Sequence, residues 1–421
     1  MRKRLIAIVA LLVMGTMLFA AAAAENPTSN SGPIELKFWS LFTGGDGEFF
    51  NAMIDEFNSS QDKIHMTNDM VKFDDYYTRL TTALAAGTAP DVIVLHQARL
   101  INYVPSGVLL PLDDYVSEEM LADFQTAPLE ACRMDGKLYA IPFDVHPIVM
   151  YSNRALLEAA GIDKLPETAE EFTAAAKAVK EATGEWGSLI DNTTGTYKAY
   201  TLTRLFVSLV NQQGGSMLTE DMSKAAFNNE YGYNALVWLQ SLVNTEKVNP
   251  NELDYDAAMN MFRLGEGAFY FNGVWATGML EQTEGLDFIA SPLPAFMGKS
   301  AAWTDSHTFA IPVQRNQDQT KVEAAIEFID WMTANAHLWA LAGNIPTRTS
   351  VLEGEAFNEL PYRADYAAAV SSVVANPPTA AWGEIYETMS DLLESAVTHN
   401  EDPQTALNGM EATVNEIISR Y

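Results

Sequence analysis

Between Ile34 and Leu95, short extended segments alternate with amphipathic helical ones, and few folds accept that alternation. Ile34-Glu-Leu-Lys-Phe-Trp39 alternates as a strand and runs into Thr43-Gly-Gly-Asp-Gly47, a flexible turn. Phe49, Phe50, Met53, Ile54 and Phe57 then recur at helical spacing. A strand near Ile64–Val71 and a helix from about Asp74 to Ala86 follow. Gly87-Thr-Ala-Pro90 ends that helix, and Asp91-Val-Ile-Val-Leu95 reads as a short buried strand. Strands and helices at this spacing predict βαβ units and a parallel sheet, hence an α/β chain. At 421 residues there is room for two or three domains. With 48% hydrophobic and 19% charged residues the chain is globular rather than disordered.

Further along, Lys137 to Ser152 is strand-rich. Pro142 and Pro147 inside it predict an edge or crossing strand rather than a central one. Ala155 to Trp186 is helical apart from a turn at Gly161–Pro166, with a capping signature at Thr168-x-x-Glu171. Helices are expected over Tyr197–Val210 and Tyr231–Val243. Strands are expected at Ala268–Phe271 and Thr308–Val313. Val322, Ala325, Ile326, Ile329 and Met332 form one face of a helix over Lys321–Ala334.

The first 24 residues read as a targeting segment. Arg2-Lys3-Arg4 precede an apolar run, Leu5 to Phe19, and Ala22-x-Ala24 fits a cleavage site, so residues 1–24 are expected to be a signal peptide. Residues 25–33 are polar with two prolines and are expected to form a disordered leader. No cysteine follows the apolar run to take a lipid, and no other segment approaches ~20 apolar residues. The expected product is a secreted, unanchored, periplasmic protein. The full chain's 25 Lys and Arg against 55 Asp and Glu give a net charge of −30, which excludes a phosphate-backbone partner. One cysteine, Cys132, permits neither an internal disulfide nor a thiolate zinc cluster.

Catalytic and nucleotide signatures are missing. Gly298-Lys299-Ser300 resembles the end of a phosphate loop, but Leu293 stands where its first glycine belongs. Neither His-Glu-x-x-His nor Gly-x-Ser-x-Gly occurs. Three of the six histidines, His96, His146 and His307, lie in strand-end contexts from which they could converge on zinc or simply hydrogen-bond.

Six segments in order carry a resemblance: Phe38-Trp-Ser-Leu-Phe-Thr-Gly-Gly-Asp-Gly47, Ala86-Gly-Thr-Ala-Pro-Asp-Val92, Asp135-Gly-Lys-Leu-Tyr-Ala-Ile-Pro-Phe143 with Tyr151-Ser-Asn153, Phe262-x-x-Gly265, Phe271-Asn-Gly-Val-Trp275, and Gly343-Asn-Ile-Pro-Thr-Arg348. Together they resemble the family 1 extracellular solute-binding proteins of bacterial ATP-driven sugar importers, from Ile34 to about Leu360. The resemblance implies the two-lobed periplasmic binding protein fold (type II), each lobe a mostly parallel sheet flanked by helices, with a cleft between. It places 34–145 and 272–313 in the amino-terminal lobe, and 146–271 and 314–421 in the carboxy-terminal lobe. It further implies a carbohydrate ligand, a transmembrane permease as partner, a monomer, no cofactor and no catalysis.

A sugar offers an apolar C–H face and a ring of hydroxyls. A tryptophan stacked on that face removes about 100 Å² of apolar surface, on the order of 2.5 kcal/mol. Each hydroxyl left unpaired costs about 1–3 kcal/mol. An aromatic beside Asp, His, Asn or Gln at a strand end is the pattern to seek. It occurs at Trp39 with Thr43 and Asp46, at His96-Gln97, at Phe143-Asp144-Val145-His146, and at Trp303-Thr-Asp305-Ser-His307. Trp275 matches a family position that stacks on sugar, and Tyr197 and Asn344 complete the candidate set. Asp144 and His146 share one strand face, and Asp305 and His307 repeat the spacing. Each has a plainer role beside it: Trp39 and Trp303 as hinge packing, Asp46 as a turn former, His96 and Gln97 as helix caps. Trp331 and Trp339 read as core. Two other functions stay open: a secreted glycoside hydrolase using Asp144 and Asp305, and a metal receptor using the three histidines. An anionic ligand finds only Arg348 to support it.

Overall fold

The computed structural model describes residues 32–421. The signal peptide expected at 1–24, and all but Gly32 and Pro33 of the expected leader, lie outside the described residues. The first elements follow the hydrophobic pattern: β1 (Ile34–Ser40), α1 (Gly47–Ser60), β2 (Ile64–Met70), α2 (Phe73–Ala86) and β3 (Val92–His96). β1 lies between β2 and β3, parallel to both, with Ile34 opposite Ile64 and Phe38 opposite Val92. α2 stops at Gly87, whose φ of +64° is a left-handed conformation that suits glycine.

The chain reaches β4 (Ile141–Pro142) and crosses at Phe143 into β5 (Asp144–Asn153), a ten-residue strand buried at every position. The second lobe continues through α3 (Ala169–Thr183), β6 (Trp186–Leu189), α4 (Tyr200–Gln212), α5 (Glu230–Asn244), β7 (Gly267–Gly273), β8 (Phe288–Pro292) and β9 (Ala302–Asp305). The Thr168–Glu171 capping box forms as expected at α3. At Ser306 the chain crosses back to β10 (His307–Ala310) and α6 (Gln319–Ala334). It returns to the second lobe through β11 (Ile345–Pro346), and then forms β12 (Val373–Val374), α7 (Trp382–Thr398) and α8 (Pro403–Ile418).

Two sheets result. The first runs β2-β1-β3-β10-β4. The second runs β12-β9-β5-β7-β6, with β8 and β11 also paired to β5. The first contains the parallel β2-β1-β3 unit. The second is mixed, since β7, β8, β9 and β11 all run antiparallel to β5. Its parallel share is therefore smaller than the sequence led one to expect.

Three other expectations need correction. β5 is a central strand, not an edge. Pro147 is tolerated there because pairing with β9 ends at Pro147 and pairing with β7 begins at Ile148. The segment 272–305 stays in the second lobe, because β7, β8 and β9 all pair with β5. α6 does not belong there: its Val322, Ala325, Phe328, Ile329 and Met332 sit in the first core with Phe38, Phe50 and Phe309. The return crossing is thus at Ser306 rather than near Asn272.

Candidate functional site

The crossing points converge on a single carboxylate. Asp144 opens β5 and is fully buried. Its Oδ1 accepts from His146 Nδ1 (2.8 Å) and from the backbone N–H of His307 (2.9 Å). Its Oδ2 accepts from His307 Nδ1 (2.7 Å) and from Trp339 Nε1 (2.6 Å). Burial alone would raise this carboxyl, but His307 and His146 with these bonds hold it far below the usual range. A permanently ionised, four-fold satisfied carboxylate has nothing left to offer a sugar. Asp144 holds the hinge.

Because that carboxylate only accepts, both Nδ1 atoms carry protons and the Nε2 edges of His146 and His307 are turned away from it. The Tyr77 hydroxyl accepts from the backbone N–H of His96 (3.1 Å) and lies 2.5 Å from its Nδ1. One phenolic proton satisfies both contacts if it is donated to Nδ1, which puts the His96 proton on Nε2. Burial, with His307 and His146 nearby, lowers His96 well below the usual imidazole range. The same burial and His307 bring His146 down to about 4. His307 is raised: burial opposes its charge, but Asp144 outweighs that cost.

All three rings line one cavity between the lobes. The first lobe contributes Leu41, Phe42, Thr43, Gly44, Asp46, Phe73, His96 and His307. The second contributes His146, Tyr197, Tyr200, Arg204, Tyr255, Trp275 and Trp303. Trp275 lies across Gly273, where any Cβ would come within 1.8 Å of its ring, and its Nε1 donates to the Tyr255 hydroxyl (3.0 Å). Gly44 approaches the same ring, with a would-be Cβ 3.3 Å from it. Asp46 is 4% exposed, and its Oδ1 has no hydrogen-bond partner among the described residues. Burial pushes its carboxyl up to about 6, against the pull of His307.

Eight of the candidate residues therefore come together: Thr43, Asp46, His96, His146, Tyr197, Trp275, Trp303 and His307. Asp305 lines an adjoining cavity with Arg99 and Tyr386 and accepts from Asn376 (2.6 Å). Burial pushes it up to about 6 as well.

Four candidates fall away from the cavity, Asp144 among them. Trp39 alternates with Phe38, so it faces an outer groove, where the Arg79 guanidinium stacks 3.9 Å from its ring centre. Gln97 donates to the Ala131 carbonyl (2.7 Å). Asn344 is wholly buried and lines no part of the cavity.

Arg204, Tyr200, Tyr255 and Phe73 line the cavity without having been expected there. Arg204 had a signal: it is the one charged residue on α4, where twelve of thirteen positions are buried. A charge in such a helix is costly unless it has work to do.

One ring nitrogen from each of His96, His146 and His307 lies within 4.8 Å of the others. The ring geometry opposes a shared metal ion. His146 and His307 are stacked at 4.1 Å between centres and 30° between planes. Two imidazoles on one tetrahedral zinc need centres roughly 5 Å apart and converging lone pairs.

Two α/β lobes joined by crossing strands, meeting over a cavity of aromatic rings, imidazoles and one carboxylate, define a two-lobed solute receptor. The chain belongs to the bacterial extracellular solute-binding protein family, whose sequence profile matches residues 52–365. It is 25% identical over 393 residues to an arabinooligosaccharide-binding protein of Bacillus subtilis (strain 168), covering 87% of this chain and 85% of that one. An arabinooligosaccharide-binding protein of Halalkalibacterium halodurans is 27% identical over 351 residues, covering 78% and 74%. In fold, the chain is similar to maltose-bound MalE3 of T. maritima, with a TM-score of 0.82 at 22% identity over 91% of this chain and all of that one. Among the described residues no helix is long and apolar enough to cross a membrane.

Proposed function

We propose that this protein is the extracytoplasmic receptor of an ATP-driven importer, closing on a sugar or oligosaccharide and delivering it to a membrane permease. The observation that carries the reading is the cavity itself. The aromatic rings that line it suit the C–H side of a sugar, and Asp46 with the imidazole edges suits its hydroxyls. The relatives named as oligosaccharide-binding proteins support it. Contacts from both lobes favour the closed form, so ligand shifts a hinge equilibrium.

Residues 1–24 serve as the export signal, the protein is periplasmic without a lipid anchor, and it acts as a monomer. It breaks no bond. Of the two carboxyls a hydrolase would need, Asp144 is held ionised by four donors and so can supply no proton. A thermal-shift screen over mono- and oligosaccharides tests the reading. A ligand at 100 times its dissociation constant adds about 2.7 kcal/mol, which raises the melting temperature measurably. A full saccharide panel without a shift contradicts it.

A further inference from the structure

We propose that the saccharide taken by this cleft carries a carboxylate, a uronic-acid unit, which pairs with Arg204. The inference rests on the reading of the cleft as a saccharide site. Arg204 is 7% exposed and lines both the main cavity and the adjoining one. Its guanidinium carbon lies 4.6 Å from the Trp303 ring centre, 4.9 Å from that of Trp275 and 5.6 Å from that of Tyr200.

Those faces stabilise a cation, and the Tyr386 hydroxyl hydrogen-bonds its guanidinium, but neither neutralises the charge or satisfies its five N–H donors. Nε makes no hydrogen bond, and no carboxylate of the described residues lies within ion-pair distance. By contrast, the other buried arginines are paired: Arg363 with Glu281, and Arg348 with Asp123 and Asp330. A desolvated guanidinium with no carboxylate partner in a ligand cavity is poised for an anion, because a buried charge is tolerated when it is paired with its opposite.

A planar carboxylate matches the guanidinium fork with two parallel hydrogen bonds, which a neutral hydroxyl cannot make. The same sugar's hydroxyls have Asp46 Oδ1 as acceptor and the Nε2 edge of His96 as a further polar partner. Arg204 is on α4 in the second lobe, and Asp46 and His96 are in the first. A uronate spanning them would touch both lobes at once.

Calorimetric titration of the intact protein tests this, with galacturonate and glucuronate and their disaccharides, each set against its neutral hexose counterpart and the hexose phosphate. At least one uronate should bind tenfold or more tighter than its counterpart, and the preference should shrink with added salt. Arg204→Gln should weaken the uronate at least tenfold more than the neutral sugar, and Arg204→Lys should restore part of the difference. If Arg204→Gln does not fold, the acid-to-neutral ratio of the unsubstituted protein and its salt dependence decide. Neutral sugars bound as tightly as uronates would overturn the inference while leaving the saccharide receptor standing, and so would a preference for the phosphate. Binding of no saccharide of any kind would overturn both.

Discussion

Thr43 and Tyr197 meet across the cleft. The Tyr197 hydroxyl lies 2.8 Å from the Thr43 backbone oxygen and 2.9 Å from its Oγ1. One residue follows β1 and the other precedes α4, so the contact joins the two lobes over the cavity. Arg99 with Glu387 (3.3 Å) and Asn102 with the Ala380 carbonyl (2.8 Å) tie the same lobes along one side. These polar contacts join the lobes beside the edge-on packing of Phe73 against Tyr197 and Tyr200.

Tyr197→Phe should therefore loosen closure without unfolding either lobe. A hydrogen bond of this kind contributes about 1 kcal/mol, so ligand affinity should fall about fivefold while the melting temperature without ligand changes little. Titration of both proteins with the same saccharide checks it. Unaltered affinity would remove the Thr43–Tyr197 contact from the closing mechanism.

Three tryptophans should separate site from core. Trp275→Ala removes a stacking face of about 100 Å², worth on the order of 2.5 kcal/mol, so affinity should fall about 50-fold or more. Because the ring also packs in the second core, stability should drop too. Trp339→Ala should cost about 3–5 kcal/mol, since its ring is wholly buried against Phe42, Phe50 and Phe143. Trp331 is only half-buried at the edge of the first core, so its truncation should cost clearly less. Denaturant unfolding ranks the three. A Trp331→Ala loss equal to that of Trp339→Ala would contradict the packing argument.

Asp46 gives a signed pH prediction. Its carboxyl sits at about 6 in the folded chain against an ordinary value of 3.8. A proton held more tightly when folded means stability falls as pH rises through that interval. Asp46→Asn removes the titration. The variant's stability gain over the parent should be small near pH 4 and grow to at most about 3 kcal/mol by pH 7. Unfolding of ligand-free protein at both pH values measures it. A gain independent of pH would mean the carboxyl is not desolvated.

The βαβ alternation from Ile34 to His96 was legible because every element carries its own period and punctuation. So was most of the cavity, where aromatics stand beside polar residues at strand ends. Position across the sheet was less legible. Trp39 satisfies the local pattern as well as Trp303 does, but it alternates with the buried Phe38 and so points to the opposite face of β1. Asp144 looked like a ligand because its four donors come from residues up to 195 positions away. Pro147 argued against a central strand, yet pairing changes partner at that residue. Arg204 was readable as a lone charge in a buried helix, a signal the search for strand-end motifs passes over.

Small-angle scattering of the protein with and without its saccharide tests the central claim most directly. If both lobes contact the ligand and the crossings at Phe143, Ser306 and β11 act as a hinge, the radius of gyration should fall on saturation. It should fall again to the same value when Tyr197→Phe is saturated, at a higher ligand concentration. An unchanged radius at saturating ligand would contradict a closing receptor and leave a rigid binding module in its place.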